Sequence, residues 1–170
     1  MVNNFESGHV ALLEELKEFT EAATSELIMP VRMQKGDATP PAPRAAQVFL
    51  MRLPDPKIAD KKAPYILHQL ITAKDQQPNG KRPSSDATVR TIFTVYNDDE
   101  QEGGLMLLNL VERLRIAMMR KVVIGERFKL DLDAGLEFLI YPEDTAPYYS
   151  GEMITRWQVP TVEREVREFL

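Results

Sequence analysis

The acidic segment NDDEQEGG, residues 97–104, contains closely spaced side chains that could do chemistry. Its carboxylates, Asp98, Asp99, Glu100 and Glu102, are oxygen donors of the kind that bind Mg²⁺ or Ca²⁺. Their spacing does not follow an EF-hand loop, and the two glycines form neither a GxGxxG nor a Walker-type phosphate loop. Acidic residues are favourable in the first turn of a helix. We therefore interpret the segment as a turn in which a strand is followed by a capped helix.

A second pair of carboxylates, Asp131 and Asp133, lies in FKLDLDAGLEF. Two such groups could serve general acid–base catalysis, but acids two residues apart before a glycine are typical of a turn between strands. A hydrolase or nuclease using Asp98, Asp99 and Asp131 would need all three within about 4 to 6 Å of a common metal ion. The sequence leaves that alternative open but favours the turn interpretation.

The two histidines and the absence of cysteine restrict the remaining enzyme chemistry. His9 lies at the start of a helical pattern, and His68 lies in the middle of a strand pattern between Ile66 and Leu70, so we expect His68 to be partly buried and hydrogen-bonded rather than a base. The sequence contains no GxSxG nucleophile motif and no HxxxH zinc motif. We therefore expect a protein that is not an enzyme, without catalytic residues, metal site or cofactor.

Two groups of residues are candidates for binding a partner. The segment 141–157 holds three of the five tyrosines and the only tryptophan. Trp157 is expected in the core, whereas Tyr148 and Tyr149 are expected in a loop between strands, where exposed aromatic residues often contact partners. Lys81 and Arg82 are expected at the tip of a hairpin loop, free to contact an acidic partner.

The composition predicts one α+β domain over residues 1–170, with 44% hydrophobic and 28% charged residues. No apolar run approaches the length of about 18 to 20 residues that crosses a bilayer, and the first residues do not resemble a secretory signal. The formal net charge of −5 argues against specific nucleic-acid binding. We expect a protein that is made in the cytoplasm and binds no membrane.

Hydrophobic periodicity predicts the elements that position these residues. Predicted helices cover residues 9–28 and 104–121, and predicted strands cover 46–54, 65–75, 88–96, 136–142 and 151–159. A proline-rich loop is expected at about 34–45 and a long hairpin loop at about 75–87. This order predicts a mainly antiparallel β-sheet with helices packed on one face.

The second helix carries more apolar residues than one buried stripe needs. Leu107, Leu110, Val111, Leu114, Ala117 and Met118 share one stripe. Leu105, Leu108 and Ile116 lie partly outside it, which leaves open that this helix buries more than one side.

With this order of elements, the chain resembles the tail-terminator (tail-completion, minor tail) proteins of long-tailed bacteriophages and prophages. The resemblance covers residues 9–165, and it includes the first helix, PYILHQLITAKD, the hairpin loop and VRTIFTVYNDD. It continues through EGGLMLLNLVERLRIAMMR, LEFLIYPED and GEMITRWQVPTVERE. The proline-rich segment QKGDATPPAPRAAQ departs from the family by its length.

The resemblance implies a structural protein of the virion tail or neck that forms a ring, expected to be hexameric. Such a ring ends growth of the tail tube and offers the surface for head or neck joining, so its partners are its own copies, the tail-tube protein and a head or neck connector protein. The alternative is a small ligand-binding or regulatory α+β module without catalysis, which would need a pocket lined by His68, Tyr96 and Trp157.

Overall fold

The computed structural model describes residues 8–55, 62–142 and 145–165. Its helices are α1, His9–Thr24, and α2, Glu100–Lys121. Its strands are β1, Gln47–Leu50; β2, Tyr65–Gln76; β3, Ser84–Tyr96; β4, Val123–Ile124; β5, Phe128–Leu130; β6, Leu136–Ile140; and β7, Tyr148–Gln158.

The strands form one sheet in the order β1-β2-β3-β7-β5-β4, and β6 pairs with β7 beside β5. All pairs are antiparallel except the short parallel pair of β1 with β2. Both helices contact the same hydrophobic core against one face of the sheet. The predicted fold class, α+β with a mainly antiparallel sheet and helices on one face, is confirmed.

The core lies between the helices and the sheet face that they cover, which we call the inner face. Leu12 and Leu16 of α1 and Leu110 and Leu114 of α2 are completely buried there. Trp157 is completely buried with them, as predicted. Burial of this apolar surface is the main favourable contribution to the fold.

The opposite, outer face of the sheet carries a second and smaller cluster. Its buried members are Leu53, Ala63, Tyr65, Leu67 and Tyr96, and Phe49, Ile92 and Tyr148 pack against them. Neither helix contributes a residue to this cluster, so much of the outer face stays open to solvent in the described part of the chain.

The β2–β3 ladder extends further than the sequence indicated. The two strands pair out to Gln76 and Ser84, so residues 77–83 form the connection, inside the predicted loop of residues 75–87. The outer half of β2, residues 71–76, is exposed throughout. We call residues 71–87 the hairpin arm.

Other element boundaries differ from the prediction in ways that have local causes. Helix α1 ends at Thr24 rather than residue 28, and Thr24 Oγ1 donates to the carbonyl oxygen of Thr20 in the last turn. Helix α2 begins at Glu100 rather than residue 104 because Asp99 caps it. Strand β1 ends at Leu50, before Met51 adopts a positive φ of 65°.

Candidate functional site

The acidic segment is the capped turn that the sequence predicted. Asp99 accepts a hydrogen bond from the backbone nitrogen of Gln101 at 2.9 Å, and Glu100 and Glu102 lie in the first turn of α2. Asp98 accepts from the hydroxyl of Tyr96, and this hydrogen bond, with burial, raises the pKa of Tyr96 to about 12. The carboxylates therefore serve the helix terminus and one tyrosine.

The second acidic pair is also a turn. One carboxylate oxygen of Asp131 accepts from the backbone nitrogens of Asp133 and Ala134, both at 3.1 Å. Such a side-chain-to-backbone arrangement is the ordinary role of Asp in turns. Within residues 8–55, 62–142 and 145–165, no group of three His, Asp or Glu side chains is placed to hold a metal ion.

His68 is fixed between α1 and the sheet. Its Nε2 atom lies 2.8 Å from Thr20 Oγ1 and its Nδ1 atom lies 2.7 Å from Thr91 Oγ1. The side chain is completely buried, and the loss of hydration lowers its pKa to about 3. With both ring nitrogens engaged, His68 is placed as a neutral structural group, as the strand pattern predicted.

The predicted pocket of His68, Tyr96 and Trp157 does not form. His68 pairs across strands with Thr91, and Trp157 pairs with Ala87, on the inner face. Tyr96 belongs to the outer-face cluster. Because side chains of a strand alternate between the two faces, the sheet itself separates Tyr96 from the other two residues.

The outer face instead holds a cavity of about 270 Å³ that the sequence reading missed. Its lining residues are Tyr65, Ile92, Thr94, Tyr141, Thr145, Tyr148 and Ser150. Tyr65, Thr94 and Ser150 form one cross-strand row through β2, β3 and β7. We call this cavity the tyrosine pocket. The residues are distant in sequence, so only the strand register brings them together.

Tyr148 forms one wall of the tyrosine pocket and is held by neighbours on two sides. Its ring centroid lies 5.7 Å from that of Tyr96, and its hydroxyl accepts a hydrogen bond of 3.1 Å from Arg32 Nη1. This hydrogen bond is the main cause of the raised pKa of Arg32, whose guanidinium also lies 5.6 Å from the centroid of the Tyr148 ring. The prediction that Tyr148 and Tyr149 lie in a loop is wrong, since both begin β7 and pair with β3.

Tyr149 points to the other face, toward α2. A Cβ atom placed on Gly103 would lie 2.1 Å from the Cε2 atom of Tyr149, so the ring lies directly against the helix backbone. Tyr149 packs against the main core and is half-buried. Adjacent tyrosines therefore have different surroundings, and Tyr148 is the better placed of the two to meet a ligand.

Lys81 and Arg82 lie in the connection at the tip of the hairpin arm. Both are exposed, and neither makes an ion pair with another residue of the described ranges. Their role in binding an acidic partner stays a prediction.

No protein-family model matches the chain, and no curated protein matches it. One similar solved structure is 11% identical with a TM-score of 0.44, covering 91% of this chain and 94% of that chain. A chain of a native gene transfer agent virion is 13% identical with a TM-score of 0.35, covering 66% of this chain and 77% of that chain.

Both TM-scores lie below 0.5, so neither likeness carries an argument about function. No helix among the described residues is long and apolar enough to cross a membrane.

Proposed function

We propose that this protein is a structural component of a phage-type virion and acts by binding, not by catalysis. In its specific form, the proposal is a tail-terminator-like protein whose copies form a hexameric ring on the end of the tail tube. The sequence resemblance over residues 9–165 motivates this assignment. The likeness to a chain of a gene transfer agent virion points in the same direction but, at a TM-score of 0.35, adds no weight.

The structural observation that carries the proposal is the unpaired edge of the hairpin arm. Strand β1 covers β2 only from Tyr65 to His68. No backbone hydrogen bond in the described residues joins the outer side of residues 71–76 to another strand. An edge of this kind offers free N–H and C=O groups to a further strand, and proteins usually cover or charge such edges. Ile71, 48% exposed, adds an apolar side chain.

A ring also requires a second, different surface on each copy. Strand β6 pairs with β7 on one side, and no other described strand pairs with its second side. It lies across the sheet from β2 and exposes Leu139, 55% accessible. A contact between two different surfaces is heterologous and generates a closed ring when the rotation between copies closes. We propose that the arm edge of one copy meets the β6 side of the next.

The experiment that tests this function is genetic. Deleting the gene from its phage is expected to leave heads intact, with tails that are overlong or unjoined in electron micrographs. Tails of normal length, joined to heads, would contradict the proposed function. Complementation with Ile71→Lys should fail, because the lysine adds a further charge to an edge that already carries Lys74 and Asp75 and removes its large exposed apolar side chain.

A matched control places the same substitution elsewhere. Ile28 follows α1 and is 56% exposed, so Ile28→Lys should complement the deletion. If Ile71→Lys also complements fully, the arm-edge contact is wrong, while the deletion phenotype still decides the function.

A second candidate function, small-ligand binding without catalysis, is favoured by the tyrosine pocket. Its volume of about 270 Å³ is just below the usual range of ligand sites, which suits only a small ligand, and its walls combine aromatic rings with hydroxyl groups. Phenol and free L-tyrosine are suitable probes, observed by amide chemical-shift changes of Thr94 and Ser150. No change at millimolar probe would remove this candidate, and Ser150→Leu, which narrows the pocket, should abolish any change that occurs.

A further inference from the structure

The connection between α1 and β1 contains a loop that is anchored at both ends. Residues 30–43 form this loop, which starts and ends at the bridge between Met29 and Arg44. The backbones of these two residues exchange hydrogen bonds of 2.8 and 3.0 Å. Arg44 also donates to the carbonyl oxygens of Pro64 and Lys62, at 2.9 and 2.8 Å, which holds the end of the loop against the segment before β2. We call residues 30–43 the proline loop.

The second half of the proline loop is restricted in conformation and exposed. Pro40, Pro41 and Pro43 fix their own φ angles, and the residue before each proline is restricted to extended conformations, which include polyproline II. Polyproline II has three residues per turn, so Pro40 and Pro43 lie on the same side of such a segment. The burial of these residues agrees, because Pro40 and Pro43 are exposed whereas Pro41 is half-buried. We call Pro40 and Pro43 the proline ridge.

The walls of the tyrosine pocket are of the kind that binds a proline ridge. Proline-rich segments dock in grooves lined by aromatic residues. Three tyrosines line the pocket, Tyr65, Tyr141 and Tyr148. The ring of Tyr148 is held by Arg32 and Tyr96, so this wall is formed before a ligand binds. A preformed wall reduces the entropy that is lost when a ligand binds.

Two hydroxyl groups of the tyrosine pocket supply a hydrogen-bond donor. The hydroxyl oxygens of Thr94 and Ser150 lie 2.9 Å apart and share one hydrogen bond. Each hydroxyl carries one proton, so the pair has a second proton that needs an acceptor. Neither hydroxyl makes a further hydrogen bond within the described residues. Because Thr94 is only 2% exposed, a ligand that brings an acceptor to this pair is favoured.

The proline ridge offers the groups that this pocket lacks. Proline has no N–H donor, and a polyproline II segment forms no internal hydrogen bonds, so its carbonyl oxygens are free to accept. The pocket thus combines aromatic walls with a hydroxyl donor, and the segment combines apolar rings with carbonyl acceptors. A volume of about 270 Å³ suits a proline ring better than a drug-sized ligand.

The proline loop and the tyrosine pocket belong to the same chain but do not meet within one copy. No residue of the proline loop lines the pocket. Pro43 directly precedes Arg44, so its entry into the pocket of its own copy would pull on the hydrogen bonds that anchor Arg44. Entry into the pocket of another copy leaves this anchor intact. The geometry therefore favours a second copy as the source of the ridge.

We propose that the proline ridge of one copy of this chain docks in the tyrosine pocket of a second copy. The inference rests on the binding role that the second candidate function gives to this pocket, and it names a proline-rich segment as the ligand. It does not depend on the virion assignment. The contact joins two different surfaces of the chain and is heterologous, as is the contact of the proposed ring.

The ligand class is tested with a peptide of residues 37–44, DATPPAPR, with blocked ends, added to the full-length protein. The amide chemical shifts of Thr94 and Ser150 should change and saturate, whereas those of α1, on the inner face, should not. The matched peptide carries Pro40→Ala and Pro43→Ala. Its dissociation constant should be at least about tenfold higher, because it loses both ridge rings and more conformational entropy on binding.

Equal dissociation constants for the two peptides would overturn the proposal, and so would the absence of any shift with either peptide. Phenol separates this failure from that of the second candidate function. If phenol shifts the amides of Thr94 and Ser150 but neither peptide does, the pocket binds a small ligand and the proline ridge is wrong.

A spin label tests whether the ridge comes from a second copy. The sequence contains no cysteine, so Ala42→Cys gives a single labelling site beside the ridge, at an exposed position. This spin-labelled protein is mixed with isotope-labelled wild type, so that only a contact between copies can broaden the observed amide signals. Broadening should be selective for the amides around Thr94 and Ser150.

Val10→Cys, at a position on α1 that is 68% exposed, carries the same label as the control for random collision. Equal broadening of Thr94 and Ser150 from the two labels, or none from the label at position 42, would overturn the contact between copies. Broadening that occurs only when the label and the isotope are on the same chain would place the ridge in the pocket of its own copy, which also overturns the proposal.

Discussion

The Nδ1 atom of His68 lies 2.7 Å from the hydroxyl oxygen of Thr91, its cross-strand neighbour on β3. On the other side of the ring, Nε2 lies 2.8 Å from Thr20 Oγ1 in α1. The imidazole thus joins the first helix to the centre of the sheet at a completely buried position. A buried polar group must be hydrogen-bonded to be tolerated, and here both ring nitrogens have partners.

Stability should fall with acidification through His68. Its pKa is about 3 in the folded protein, below the ordinary 6.5, so the unfolded chain binds more protons between these values. The stability that the folded protein gains from keeping His68 neutral is fully present above pH 6.5 and is lost as pH decreases toward 3. We expect the free energy of unfolding to fall by about 1.4 kcal/mol per pH unit in this range through His68. Urea unfolding at several pH values between 6.5 and 4.5 measures this slope.

His68→Gln is the matched variant because Gln can hydrogen-bond but does not titrate. Wild type and variant differ only at residue 68, so the difference between their pH slopes isolates His68. Identical slopes in wild type and variant would contradict the assignment.

Helix α2 should contribute strongly to stability through its buried stripe. Leu110 and Leu114 are completely buried, so Leu110→Ala or Leu114→Ala should each lower the free energy of unfolding by about 2 to 5 kcal/mol. Arg113→Ala, on the partly exposed side, should change it by about 0.5 kcal/mol or less. Denaturant melts compare the three, and a larger effect from Arg113→Ala would overturn the packing described.

The adjacent glycines of α2 should respond in opposite directions to alanine. At Gly103 a Cβ would lie 2.1 Å from the Tyr149 ring, so Gly103→Ala should cost about 1 to 3 kcal/mol. At Gly104 no atom lies within 4 Å, so Gly104→Ala should stabilise by about 0.5 to 1 kcal/mol through helix propensity. Thermal melts distinguish the two variants, and equal shifts would show that Tyr149 moves aside freely.

The sequence predicted those parts of the fold that depend on local pattern. The alternation in β2 and the helical stripe of Leu107, Leu110 and Leu114 identified the main elements and the fold class. The cap at Asp99 followed from acids that precede a helical pattern. Strand β4, with two residues, was missed because so few residues carry no periodic signal. Strand β5, with three residues, was implied only by the turn that follows it at Asp131.

The candidate sites were harder to predict because they depend on register. The tyrosine pocket joins Tyr65 with Tyr148, and the row from Tyr65 through Thr94 to Ser150 exists only after β2, β3 and β7 are aligned. The loop assignment of Tyr148 failed because β7 begins immediately after Pro147, where the sequence shows turn residues. Because side chains alternate between the two faces of a strand, counting residues along β3 places Tyr96 on the face opposite His68. That count would have excluded the predicted pocket of His68, Tyr96 and Trp157.

The tip of the hairpin arm should be the first tryptic site within residues 62–142. The connection 77–83 is seven residues long and contains two prolines and one glycine, and its residues Lys81 and Arg82 are exposed. Proteases cut where the backbone can unfold locally, and an exposed connection has few contacts to break when it unfolds. Trypsin should cleave after Lys81, because the bond after Arg82 precedes Pro83 and resists cleavage. Mass spectrometry should detect a fragment that ends at Lys81 and a complementary fragment that begins at Arg82. Lys81→Gln should remove this cut and leave the rest of the digestion pattern unchanged.

Lys74 provides an internal comparison, since it lies in β2 paired with Asp86 and should be cleaved later. If trypsin cleaves after Lys74 before Lys81, the arm is not a stable ladder, and its edge could not supply the contact on which the ring proposal depends.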